Sequence, residues 1–423
     1  MSTTRQLTAS VILVCYNMRV GRPELERAAF FVTFAACVAI LFSIAVSQIL
    51  MGLGVVLLIS SRTKLRLPPV WLPMVVYMSG TVISLLLSGD VRRGLPQIRK
   101  FYVWVILLLV FSTFHKLREI RWAVAGWTAV ATGSAVYSFI QFGRKYEEAV
   151  HARESFYQSY VGSRITGFMS HWMTFGGEEM VVLLFLAAFL FFAAASRRWK
   201  IAGWICGVVL LISMVLGFTR GIWLGTIAGG LYLLWFRRRW LIALVPLAML
   251  AGLAVGPVRE RMVSLFQPHG EQDSNQFRIV VWRTGIEMIR AHPWFGLGPE
   301  QVGPQLDRYV PRDIPRPLPP GYYGHLHNIY IHYAAERGIP TMLAMMWLIG
   351  KALWDFASTL WRKRPIGDAR FVLHGAVAAI MGLLVVGCVE YNLGDSEVLT
   401  MFLTTVCFGY IAKERVEARS EFG

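Results

Sequence analysis

The sequence predicts an all-α integral membrane protein, one polytopic unit over 1–423, with about twelve transmembrane helices and one large extramembrane loop. Three observations carry that prediction. First, 56% of the 423 residues are apolar and only 16% are charged, which excludes a disordered chain, a coiled coil and a water-soluble domain. Second, the apolar residues come in long uninterrupted blocks with neither strand alternation nor heptads, the pattern of membrane spans. Third, the segments between blocks alternate in basic character along the chain, as the positive-inside rule requires of a multi-pass protein.

Taken in order, the blocks run over 28–46, 49–60, 70–88, 101–114, 122–142, 180–195, 201–217, 221–236, 241–255, 329–353, 371–389 and 398–412. The first two are adjacent, and the stretch 28–60 is long for one helix and short for two. Ser47 and Gln48 offer a turn between them. With two helices, the basic segments 1–27 and 61–69 share a side; with one they would face opposite compartments, against the rule. The ninth and tenth blocks are separated by a loop over 256–326, long enough that it must be structured or functional. Within that loop 276–292 reads as an amphipathic helix, because Ile279, Trp282, Ile286 and Ile289 recur at three- and four-residue spacing and Pro293 stops it. The short apolar patch at 11–15 is too short for a signal-peptide core, and no cleaved signal is expected. The five cysteines form no CxxC pair, so neither a disulfide framework nor a zinc site is indicated.

The formal net charge of +17 would suggest nucleic acid in a soluble protein, but here basic residues first serve as anchors at cytoplasmic helix ends, and no nucleic-acid partner is expected. The larger basic share falls in the N-terminus, the segments around 62–66, 116–121, 197–200, 237–239 and 351–370, and the C-terminal tail, which puts both termini in the cytoplasm. The remaining basic residues oppose the topological rule, and all but Lys100 and Lys145 are arginines. A guanidinium presents a planar fork that meets phosphate oxygens in pairs. An outward-facing surface rich in Arg and poor in Lys therefore points to a phosphorylated ligand. Away from the cytoplasm a synthetic reaction needs a donor that is already activated. A lipid-linked diphosphate sugar meets that need, with cationic donors stabilising the departing diphosphate and a histidine taking the acceptor's proton.

The sharpest local signal is Gly321, Tyr322, Tyr323, Gly324, His325, Leu326, His327, Asn328, with Gly338 and Thr341 downstream. This H-N-x9-G-x-x-T pattern from His327 resembles the signature of the O-antigen ligase family. Arg220 and Leu224 resemble its outer R-x3-L element. Arg164 and Gly167 resemble the opening of R-x-x-G-x-F-x-N, although Met169 and His171 stand where that pattern has Phe and Asn, so only Arg164 is carried over. Arg278 and Trp282, followed by His292, Pro293, Trp294 and Gly298, are similar to the helix that opens the family's large loop.

The resemblance spans about 164–341. It implies a GT-C-type architecture in the bacterial inner membrane and an inverting glycosyltransferase needing no metal or other cofactor. Its substrates would be an undecaprenyl-diphosphate-linked glycan and lipid A-core oligosaccharide, joined at the periplasmic face. The resemblance makes His327 the general base and Arg220, Arg164 and Arg278 the holders of the donor diphosphate. Arg99 beside Lys100 serves either the donor or lipid headgroups, and Asn328 either orients His327 or caps the helix that follows. Arg337 lies ten residues beyond His327 inside an apolar block, so it is expected to be buried and paired with Glu336, or to face a water-filled cavity. His325, His327 and His332 do not share a helical face, so no metal site is expected. An O-antigen polymerase has the same donor chemistry and remains open. A polysaccharide or lipid transporter would place its charges at midplane and repeat its halves, and neither feature is visible by eye.

Overall fold

A computed structural model describes residues 23–254, 256–264 and 276–421, and among these the regular structure is helical throughout. The basic residues Arg5, Arg19 and Arg22 and the 11–15 patch lie outside the described residues. Helices α1 (Pro23–Ala39) and α2 (Ile44–Ser60) form a hairpin. The turn comes earlier than the Ser47–Gln48 position expected from sequence. Ser43 is the N-cap of α2, its hydroxyl accepting from Val46 N, while Ser47 lies inside α2 and donates to Ala36 O at 2.9 Å across the hairpin. The chain continues through α3 (Trp71–Leu87), α4 (Val91–Arg99), a 3₁₀ stretch over Lys100–Trp104, and α5 (Val105–Thr113). Helix α6 (Leu117–Ala152) has 36 residues, so at ~1.5 Å per residue it is far longer than a bilayer core is thick. It carries the chain well past position 142, into the stretch expected to be loop.

The next helices are α7 (Phe156–Gly162), α8 (Trp172–Phe192), α9 (Arg197–Leu216) and α10 (Arg220–Arg238). After a 3₁₀ turn over Arg239–Ala243 come α11 (Leu244–Gly252) and α12 (Gly256–Val263). Arg261 of α12 donates to Phe218 O at 2.9 Å, so the segment after α10 has returned to the end of the molecule where α10 began. Then follow α13 (Gln276–Ala291), α14 (Val302–Tyr309), α15 (Ile329–Arg337), α16 (Ile339–Lys363), α17 (Gly367–Gly387) and α18 (Ser396–Glu421).

Five helices among the described residues are long and apolar enough to cross a membrane: Val91–Thr113, Leu117–Ala152, α8, α9 and α17. Helices α2 and α3 are apolar as well but have 17 residues each. Composition records apolar stretches, whereas several of these are broken in the backbone. The clearest case is 329–353. Gly338 has φ +82°, and a Cβ there would sit 2.1 Å from Trp294 O. The block splits into α15 and α16, and the turn at 293–298 docks on the break, with Leu297 N bonding Ala335 O, Gly298 N bonding Glu336 O and Ile339 N bonding Pro293 O. Backbone groups freed by the break are thus satisfied by protein.

Helices α8 and α17 are the most enclosed of the five, while α9 is peripheral. Helix α10 lies close against α17 because Gly225 and Gly229 have no side chain; a Cβ at either would come 2.7 Å from a carbonyl oxygen of α17. The loops divide between two ends. At one, Arg66 pairs with Glu414, and Arg121 with Asp368 and Ala194 O. At the other, Lys100 reaches Gly394 O, Asn328 reaches Cys388 O and Thr174 reaches Asp395. Each of these contacts joins segments that the charge count puts on the same side. Helix α13 corrects one detail: it buries Val280, Val281, Thr284 and Met288, while Ile279 and Ile286 of the expected apolar stripe are exposed.

Candidate active site

At the second end, two small apolar cores flank an opening. One holds Tyr157, Tyr160, Ile165 and Phe218; the other holds Val281, Met288, Leu306 and Leu326. Between them lies a cavity of about 950 Å³ lined by Arg164, Arg220, Arg261 and Arg278, by His171, His325 and His327, and by Glu390 and Asp395. Arg220 is the first residue of α10 and donates to Ser264 Oγ at 3.1 Å. The backbone turns sharply before it, with Phe218 at φ +47°. Arg164 donates to Val161 O and Thr219 Oγ1 and lies over the Trp172 ring. Burial, and then the neighbouring Arg261, lower the Arg164 guanidinium to about 9. It is still cationic at neutral pH, and an anion in the cavity would relieve the repulsion.

His327 occupies the left-handed region at φ +45° and is 9% exposed. A strained backbone at a cavity wall is the kind of outlier that accompanies function. Asn328 immediately after it is the N-cap of α15, accepting from Tyr330 N and Ile331 N, so the left-handed turn and the cap together aim the imidazole. His327 Nδ1 lies 3.0 Å from Glu390 Oε2, and Nε2 lies 3.2 Å from Tyr322 O. The other oxygen of Glu390 accepts from Arg278. Burial alone would raise the Glu390 carboxyl, but His327 and Arg278 outweigh it and hold it below the usual carboxylate range. A carboxylate on Nδ1 fixes the tautomer and ring orientation, leaving Nε2 as the nitrogen turned to chemistry.

The other histidines differ. His325 is packed against His327, with ring centroids 4.1 Å apart; burial, then His327 and His332, push it down to about 2, so it stays neutral. His171 caps α8, its Nδ1 accepting from Met173 N, and burial followed by Arg164 lowers it. A neutral ring that caps a helix does the job an Asn would do at the same position.

Among the residues expected from sequence, Arg164, Arg220, Arg278 and His327 line the one cavity. Arg99 does not. It is exposed, and it is Lys100 that turns inward to Gly394 O, because the chain tightens into a 3₁₀ turn at that point. Arg337 is 2% exposed and lies outside the cavity; it is paired with Glu336 at 2.6 Å and donates to Gln97. Sequence reasoning did not single out Glu390, Arg261 or Asp395. Glu390 carried a signal: a carboxylate directly past the end of an apolar block, on the side where arginines accumulate.

Residues 205–346 match the family model described as O-antigen ligase, a segment that contains Arg220, Arg261, Arg278 and His327. The match supports the family resemblance read from the motifs. A search of curated proteins found no match.

Proposed function

From the premise that this chain is of the O-antigen ligase family, we propose that it transfers a glycan from undecaprenyl diphosphate to lipid A-core oligosaccharide, with inversion. The reading includes a GT-C-type bundle of about twelve spans in the bacterial inner membrane, termini in the cytoplasm and the cavity on the periplasmic face. The exposed apolar residues Ile279 and Ile286 on α13 suit a helix lying at that membrane surface.

One observation carries the proposal: the described lining sets four arginines against two carboxylates around a histidine already oriented by one of them. Burial raises the Asp395 carboxyl above the usual carboxylate range. A diphosphate diester carries two negative charges and gains a third when its bond to the sugar breaks. Arg164, Arg220, Arg261 and Arg278 surround the space where that charge develops. In the reaction His327 Nε2 takes the proton of an acceptor hydroxyl, and that oxygen attacks the anomeric carbon. The carbon–oxygen bond to the diphosphate breaks on the opposite face, and the diphosphate leaves with the electron pair. Glu390 balances the charge on the imidazole.

The test is an in vitro assay with undecaprenyl-diphosphate glycan, run with rough lipopolysaccharide as acceptor, with a second lipid-linked glycan as acceptor, and with chelator. Glycan on lipopolysaccharide, insensitive to chelator, is expected; glycan extended on the second lipid instead would make the protein a polymerase. His327→Ala is expected to insert normally and to lose roughly 10²–10⁴-fold in rate, the usual contribution of a general base. Full transfer by that variant would overturn the assignment of the base.

A further inference from the structure

The imidazole proposed as the base is not free. Nδ1 faces Glu390 and Nε2 faces the Tyr322 carbonyl, an oxygen that only accepts. With Nδ1–H on Glu390, the neutral ring turns its Nε2 lone pair toward a carbonyl oxygen that has no proton to give, and that oxygen stands where a substrate hydroxyl would have to come. The segment bearing that carbonyl is packed tightly. Gly321 packs against Phe277, where a Cβ would be 2.5 Å from the ring, and Gly324 packs against the Tyr322 ring, where a Cβ would be 2.2 Å from its hydroxyl oxygen. Prolines 319 and 320 precede it. The Tyr322 ring is 62% exposed, lines the cavity, and rests edge-on against His325 with centroids 5.0 Å apart.

We propose that the segment Gly321–Gly324 is a latch on the base, and that the exposed face of Tyr322 is the acceptor-sugar subsite that releases it. A pyranose ring stacking on Tyr322 draws the segment outward, its hydroxyl takes the place of the Tyr322 carbonyl oxygen at Nε2, and the Nε2 lone pair then receives the hydroxyl proton while Nδ1–H stays on Glu390. The consequence is specificity against water. A water molecule in the cavity lacks the ring face that moves Tyr322, so the donor is not hydrolysed while it waits. Hydrolysis would follow the same steps as transfer, with water giving its proton to Nε2 and its oxygen attacking the anomeric carbon as the diphosphate leaves. The latch rests on the reading of His327 as base, and the experiment separates the two.

The full chain in lipid nanodiscs is given undecaprenyl-diphosphate glycan. Free glycan released without acceptor and glycan transferred to rough lipopolysaccharide are both measured. Gly324→Ala pushes the Tyr322 ring from its place and is expected to raise the ratio of hydrolysis to transfer about tenfold. Adding His327→Ala to that variant is expected to return hydrolysis to the level of His327→Ala alone. Tyr322→Ala is expected to raise the acceptor KM roughly two- to tenfold with a smaller change in kcat, and Tyr322→Phe to recover most of that loss. These Tyr322 variants decide the matter if Gly324→Ala does not accumulate. A ratio and an acceptor KM that stay at wild-type values overturn the latch and leave the base assignment standing. Hydrolysis that persists without His327 overturns it too. Wild-type protein that neither transfers nor hydrolyses points instead to failure of the proposed function.

Discussion

The two ends of α15 carry nearly the same set of side chains and do different things with them. At its N-terminal end Glu390 bridges Arg278 and His327. At its C-terminal end Glu336 bridges Arg337 at 2.6 Å and His332 at 3.5 Å. The first carboxylate opens onto a cavity of about 950 Å³ with three further arginines; the second is buried, and its partner Arg337 borders a void of about 20 Å³. Around the sealed cluster the partners are all protein: Gln97 bonds Arg337, Glu300 N bonds Glu336, and Arg337 lies 4.9 Å from the Tyr333 ring centroid. What separates a site from a brace here is access and unbalanced charge, not residue type. The sealed cluster also supports the open one, since His332 accepts from Leu326 N one residue before His327.

Removing one partner from each cluster breaks the comparison most directly. Arg337→Ala strands the buried Glu336 carboxylate and is expected to cost about 3–5 kcal/mol. The measurement is thermal unfolding, or the yield of monodisperse protein, and a Tm within a degree or two of wild type would show that the cluster is not a brace. Glu390→Gln is expected to do the reverse. The side chain keeps its shape and the cavity wall stays intact, so yield holds, while transfer falls roughly 10–100-fold as His327 loses its orienting charge. A loss confined to donor KM would instead assign Glu390 to Arg278 and the diphosphate.

Much of this contrast was visible in the sequence, and its limits are physical. Arg164, Arg220, Arg278 and His327 were legible because short motifs fix their local geometry and charge counting put them on one side. Burial of Arg337 with Glu336 followed from adjacency in an apolar block. Glu390 was not found because its contact with His327 spans 63 positions, and one sequence gives no register for how α17 meets α15. The break in the 329–353 block was not legible because hydropathy is blind to a left-handed glycine: Gly338 interrupts a run that composition makes continuous. Arg99 and Lys100 were interchangeable in a charge count; only the 3₁₀ turn decides which of them faces inward.

A smaller effect sharpens the role of the residue between His327 and α15. Asn328→Ala removes the cap on Tyr330 N and Ile331 N and the bond to Cys388 O, and is expected to cost about 0.5–2 kcal/mol. Asn328→Asp keeps an acceptor for the cap and loses the donor to Cys388 O. If Asp restores the Tm but not the transfer rate, the bond to Cys388, which ties the turn to the end of α17, is what positions His327. If Asp restores both, the cap alone suffices.

The smallest effect expected is the acid response of the open cluster. Glu390 titrates below its ordinary value in the folded protein, and an unfolded Glu titrates near ~4.3. Between those values the unfolded chain binds more protons, so stability rises with pH. The contribution of Glu390 is therefore complete above about pH 4.3 and is lost as pH falls through the folded value. Asp395 in the same cavity has the opposite sign: its carboxyl is raised, chiefly by burial, so its unfavourable contribution at neutral pH is relieved on acidification. The two partly cancel, which is why wild-type unfolding against pH is a poor test and the difference between wild type and Glu390→Gln is a good one. Their Tm curves are expected to run parallel from pH 7 to about pH 5 and to converge below it, as the wild-type carboxylate is protonated and its links to Arg278 and His327 weaken. Curves that stay parallel to pH 3.5 would mean that Glu390 is not held ionised by its partners, and the contrast with the sealed Glu336 cluster would have to be drawn from access alone.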